Sequence, residues 1–124
     1  MTINQPTIAT NFGVRSTFVE VNLSQLSRNL QAIRAKVSPA KIMIVVKANA
    51  YGHGLTDVAK YLGPQVDYIG VAVLEEGLLL REIGVQAPIL VLGGIWGNQI
   101  PAYLENDLTL TAPSVERLEQ IDQA

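Results

Sequence analysis

The chain has no cysteine at all, so disulfides and cysteine-ligated metals are excluded, and the composition fits a reducing compartment such as the cytoplasm. It has one histidine, His53, flanked by glycines, which offers none of the spacing a metal site needs. It lacks a surplus of either charge: nine Lys+Arg stand against eleven Asp+Glu, leaving no basic excess for nucleic acid or an acidic membrane. No apolar run approaches the roughly 20 residues of a membrane span. Residues 1–15 have neither the basic start nor the apolar centre of a signal peptide, and read as a loose polar tail. Phosphate-binding signatures are absent too, since no GxGxxG occurs and no Lys-Ser/Thr follows Gly52 or Gly54. What remains, at 48% hydrophobic residues, is a soluble globular chain.

Apolar spacing then divides residues 16–124 into alternating elements. Thr17 to Val21 suggests a short strand. Asn22 or Ser24 can cap a helix whose face is Leu23, Leu26, Leu30, Ile33 and Val37, stopped at Ser38-Pro39. Ile42 to Val46 is an unbroken apolar run, as in a strand buried on both faces. Leu55, Val58, Ala59 and Leu62 form a second helical stripe, closed by Gly63 as a C-terminal cap and Pro64. Val66 to Val73 reads as a strand. The next helix opens on Glu75 and Glu76, favoured there by the helix dipole, buries Leu79, Leu80 and Ile83, and stops at Gly84. Pro88 to Leu92 is a third strand, Ile95 to Asn106 an irregular piece and Leu108 to Thr111 a fourth strand. Ser114 caps a last helix with Val115, Leu118 and Ile121 on one face.

Four βα units of roughly 20–25 residues each define an α/β chain, compatible with a (β/α)8 barrel or an open doubly wound sheet. A closed barrel takes about 250 residues. The chain, at 124, is therefore expected to be the front part of a domain.

One residue stands out chemically. Lys47 ends an apolar strand, and α/β folds bind ligands at the carboxyl ends of their strands. A partly desolvated lysine there deprotonates more easily and can condense with an aldehyde; a surface lysine marking the strand end is the plain alternative. Gly52 and Gly54 suit a turn from strand to helix, and His53 a structural place in that loop. Adjacent Glu75 and Glu76 point in different directions on a helix, so a helix-start role fits them better than an acid–base pair. Gly93-Gly94 fits a turn, and Trp96 and Tyr103 fit core packing or contact with a further part of the domain.

The segment Val45-Val46-Lys47-Ala48-Asn49-Ala50-Tyr51-Gly52-His53-Gly54 closely resembles the lysine signature of alanine racemases. Three more stretches are similar to that family: Glu20 to Leu30, Val73 to Glu82 and Ile89 to Gly93. The resemblance implies a partial (β/α)8 TIM barrel, about the first four βα units of a domain that binds pyridoxal 5′-phosphate (PLP). In the family this domain precedes a mostly β domain, in a cytoplasmic homodimer that interconverts L- and D-alanine and supplies D-alanine for peptidoglycan. It implies that Lys47 bears PLP through a Schiff base and is one of two catalytic bases, that Tyr51 helps hold the cofactor phosphate, and that Leu92 lies close to the cofactor. The family's second base, a tyrosine of the partner subunit, and its arginine at the pyridine nitrogen have no counterpart here, so these 124 residues are expected to be inactive alone. The alternative is a non-catalytic PLP-binding barrel of the same fold type. In that class the lysine is not followed by Asn-Ala-Tyr-Gly-His-Gly.

Overall fold

A computed structural model describes residues 18–124; the expected tail, residues 1–15, lies outside them. The element order is α1 (Leu23–Val37), β1 (Met43–Val45), a single turn α2 (Lys47–Tyr51), α3 (Leu55–Leu62), β2 (Tyr68–Val71), α4 (Leu74–Glu82), β3 (Ile89–Val91), α5 (Ile100–Glu105), β4 (Leu108–Thr109) and α6 (Val115–Asp122). Asn22, not Ser24, caps α1: its side chain accepts the Gln25 N–H at 2.9 Å. Ser114 caps α6 in the same way, through Arg117.

The strands form one parallel sheet in the order β1-β2-β3-β4, with Val45 opposite Gly70, Val71 opposite Val91 and Ile89 opposite Leu108. This order separates the two architectures that alternation leaves open. A doubly wound sheet reverses direction at a switch point, whereas here each strand adds on the same side of the last. With right-handed crossovers the helices then share one face of the sheet, which makes the sheet an arc of a barrel.

Side chains alternate across that arc. Val46, Ile69, Val71, Ile89, Val91 and Leu108 face the helices and are buried against Leu23, Leu30, Val58, Ala59, Leu62, Leu74, Leu80 and Tyr103. Met43, Val45 and Leu92 face the concave side around Gly70 and are 41%, 37% and 38% exposed. The expectation that the Lys47 strand is buried on both faces therefore fails. An apolar run reports what its side chains prefer, and β1 is the sheet's edge, with no described residue over its concave side.

Other departures have local causes. The expected strand at 17–21 is absent over its described part, Phe18 to Val21: among the described residues none pairs with the outer edge of β1, and Phe18 and Val19 are 82% exposed. The irregular piece contains α5, which begins at Ile100 with Pro101 in its first turn and buries Tyr103; six residues are too few to display a helical period. Gly63 does not adopt the left-handed cap, but has φ −50° and opens a short 3-10 turn over Gly63–Gln65. The buried face of α4 is Leu74, Gly77 and Leu80, with Leu79 left exposed. Glycine hides this stripe from a hydrophobic pattern, yet a Cβ at Gly77 would sit 3.1 Å from Leu108 Cδ1. The apolar face of α6 is exposed, at 73% for Val115 and 55% for Leu118.

Two polar groups tie the frame together. Arg81 donates to four backbone carbonyls, those of Val85 (2.7 Å), Ala87 (2.9 Å), Asn106 (2.9 Å) and Asp107 (2.8 Å), pinning α4 to the starts of β3 and β4. Asp67 accepts the Ile42 N–H at 2.8 Å and lies 3.5 Å from the Arg34 guanidinium. The Ile42 hydrogen bond chiefly holds its carboxyl below the ordinary value; desolvation opposes it, and the nearby charges of Arg34 and Lys41 add to the lowering. A depressed folded value means stability that is present above the ordinary aspartate pKa of about 3.9 and is lost as pH falls through the folded value. Asp67→Asn keeps an acceptor but not the charge. Urea denaturation is expected to show the unsubstituted chain ahead of Asp67→Asn at pH 7, with the gap closing below about pH 4. A gap independent of pH would contradict this.

Candidate functional site

Lys47 stands half-buried at the carboxyl end of β1, where the Val46 N–H makes the last ladder bond to Gly70, 2.9 Å. From there the chain winds left-handed through four consecutive residues with side chains. Ala48, Asn49, Ala50 and Tyr51 have φ of 52°, 57°, 50° and 53°, followed by Gly52 at 88° and Gly54 at 94°. Each non-glycine residue in this region costs roughly 1–2 kcal/mol, so such a turn persists only where its surroundings hold it.

The surroundings hold Ala48, Asn49 and Ala50. The Ala48 N–H donates to Glu76 Oε1 at 2.8 Å. The Ala50 N–H reaches the Val46 carbonyl at 2.7 Å, and the Ala50 methyl is buried. Asn49, a residue type that tolerates this backbone region, accepts the Leu55 N–H on its side chain at 2.8 Å, and so covers the start of α3. The Asn49 carbonyl takes the Gly52 and Gly54 N–H groups, both at 3.0 Å, and His53 Nδ1 lies 2.9 Å from the Ala50 carbonyl. Strain of this kind clusters at ligand sites, and α/β folds bind their ligands at strand ends.

The three residues singled out in the sequence take different positions. Lys47 and Tyr51 bound the same turn, and Tyr51 is 63% exposed. Among the described residues no carboxylate lies within 4.0 Å of the Lys47 amine, the one ion pair being Arg34–Asp67. Leu92 follows β3; its Cδ1 would be 3.6 Å from a Cβ at Gly70, while Val45 Cγ2 would be 3.4 Å from it on the same concave face. A cleft of about 330 Å³ opens beside them over the ends of β2 and β3, lined by Ala72, Val73, Gly93, Gly94, Trp96 and Gln99, and none of the three reaches it. Gly93 is required here, because a Cβ would stand 2.5 Å from the Ala72 carbonyl oxygen.

A family model described as "Alanine racemase, N-terminal domain" matches residues 21–124. The chain belongs to the alanine racemase family. Alanine racemase 1 of Caldanaerobacter subterraneus subsp. tengcongensis is 42% identical over 113 residues, which cover 90% of this chain and 29% of that protein. The alanine racemase of Streptococcus uberis is 42% identical over 106 residues, covering 85% of this chain and again 29% of the relative. Among solved structures, alanine racemase of Clostridium difficile 630 in complex with cycloserine superposes with a TM-score of 0.78 at 39% identity, over 83% of this chain and 29% of that one. Alanine racemase from Bacillus anthracis with bound L-Ala-P gives 0.74 at 37% identity, over 82% and 27%. The chain thus spans less than a third of the length of these relatives.

Within this alanine racemase domain, sequence reasoning missed Glu76. The helix-start reading is correct for its position on α4, but its carboxylate does not serve α4 alone: Oε2 accepts the Ala72 N–H at 2.7 Å while Oε1 holds Ala48. The partner 28 positions away leaves no trace in local spacing. Asn49 did carry a signal, since asparagine beside Gly52 and Gly54 is the composition of a chain forced to positive φ. Among the described residues no group of three metal-binding side chains converges, and no helix is long and apolar enough to cross a membrane.

Proposed function

We propose that the chain is the lysine-bearing part of a PLP-dependent alanine racemase. The observation that carries this reading is the strained turn, held by hydrogen bonds at Ala48, Asn49 and Ala50, that begins at a strand-rim lysine with no ion pair among the described residues. The donor set fits PLP: one primary amine for its aldehyde, an exposed tyrosine hydroxyl four residues on for a phosphate oxygen, and the apolar side chains of Val45 and Leu92 beside Gly70 on the concave face as a surface for a flat ring. Lys47 is assigned the covalent attachment, Tyr51 the phosphate contact and Leu92 the apolar contact beside the ring.

Bound PLP withdraws electrons from an attached amino acid, so that its Cα proton can be removed. The chain's own part is to hold the Lys47 Nζ at the rim and, once that amine is free, to take or return this proton on one face. Racemisation also needs a base on the opposite face, and no residue here is assigned to it. The names of the relatives support alanine as substrate. For the whole protein we infer a cytoplasmic homodimer that supplies D-alanine for peptidoglycan.

The test is to mix the purified chain with PLP, reduce with borohydride and map the adduct by mass. The label is expected on Lys47 and not on Lys36, Lys41 or Lys60, with no D-alanine formed from L-alanine by the chain alone. Label spread over all four lysines would remove the assignment.

A further inference from the structure

We propose that Glu76 is a positioning residue for the Lys47 amine, acting through the two backbone N–H groups that its carboxylate bridges. The inference rests on the reading of Lys47 as the PLP lysine and names what aims it.

Beyond the Val46–Gly70 ladder bond the chains of β1 and β2 part, because β1 enters the left-handed turn. That parting would leave the Ala48 and Ala72 N–H groups without acceptors. Glu76 reaches both, Oε1 to Ala48 at 2.8 Å and Oε2 to Ala72 at 2.7 Å, so one carboxylate joins the two strand ends. Such charge-assisted bonds are stronger than neutral ones. The Ala72 carbonyl in turn accepts the Gly93 N–H at 2.9 Å, which carries the linkage to the third strand.

The Ala48 N–H is no ordinary loop donor. It lies in the same rigid peptide plane as the Lys47 carbonyl, so fixing it fixes ψ of Lys47 and φ of Ala48, which stands at 52°. The direction in which the lysine leaves the strand end is then set from α4. A carboxylate suits this task because it has two acceptor oxygens and no donor. Glutamine would turn an NH₂ group toward one of the two N–H donors, and aspartate is one methylene too short to span both.

The experiment titrates the purified 124-residue chain with PLP, following the absorbance of the lysine adduct and then mapping it by borohydride reduction. Glu76→Gln and Glu76→Asp are compared with Arg81→Lys, which perturbs the far end of the same helix. Both Glu76 variants are expected to bind PLP roughly tenfold more weakly at Lys47, the scale of one lost charge-assisted hydrogen bond. Arg81→Lys is expected to lower the melting temperature and leave the Lys47 adduct unchanged. If Glu76→Gln does not fold by circular dichroism, Glu76→Asp carries the comparison; unfolding of both would make Glu76 a determinant of the fold and overturn the positioning role. Glu76 variants that load Lys47 as tightly as the unsubstituted chain would overturn this inference and leave the Lys47 assignment standing. An unsubstituted chain that is not labelled at Lys47 would remove both.

Discussion

Lys47→Ala is expected to abolish the borohydride-reducible PLP adduct while changing stability by no more than about 0.5 kcal/mol. The two halves of that result have separate causes. Lys47 makes no ion pair among the described residues, so the folded state loses little when the side chain is cut back. The adduct needs a primary amine at this strand end, and no neighbour can supply one: Lys36, Lys41 and Lys60 lie exposed on the helix side and the opposite rim of the sheet. Lys47→Arg sharpens the comparison by keeping the charge and much of the length without an amine that condenses with an aldehyde. It should lose the adduct as completely as alanine does. In a protein that also contains the remainder of the family's length, either substitution should lower racemisation by several orders of magnitude, as removal of a covalent catalytic group does. An adduct that survives Lys47→Ala at comparable occupancy would refute the assignment.

Gly93→Ala carries the second large effect, and it falls on the fold. The new Cβ would stand 2.5 Å from the Ala72 carbonyl oxygen, a distance real Cβ atoms do not reach, and the obstacle is backbone that cannot rotate away. That same carbonyl accepts the Gly93 N–H, so the strand ends must separate and lose a hydrogen bond to admit one methyl group. A loss of about 2–3 kcal/mol is expected, read as a fall of roughly 8–20 °C in melting temperature. Gly84→Ala is the matching control. Its φ is +86° with nothing within 4 Å, so it meets backbone strain alone, about 1 kcal/mol, and it lies at the other end of α4 from Glu76. Because the Ala72 N–H is held by Glu76, Gly93→Ala should also weaken PLP binding, and Gly84→Ala should not. A Gly93→Ala chain as stable as the unsubstituted one would show that the rim is not packed as described.

The difference between these two positions reflects what a linear sequence records. Wherever the decisive contact is local, it could be read directly. The stripe Leu55 to Leu62, the Asn22 and Ser114 caps and the stop at Gly84 depend on neighbours within a few residues, and each stands where spacing put it; the stripe expected from Leu23 to Val37 holds only as far as Leu30, with Ile33 and Val37 exposed. The lysine at the end of an apolar strand was legible for the same reason, as was the family, because ten consecutive residues carry it. Contacts between distant segments were not legible. That β1 is an edge, that Gly77 belongs to a buried face and that Gly93 admits no side chain follow from which strands become neighbours. By itself, then, the sequence determined the alternation of elements, the family and the lysine. Only the tertiary structure decided that successive strands add in one direction, and that the Glu76 carboxylate meets Ala48 from 28 positions away. Hydrophobic periodicity specifies which side of an element is apolar, while a hydrogen bond between two strand ends exists only once the sheet has brought them together.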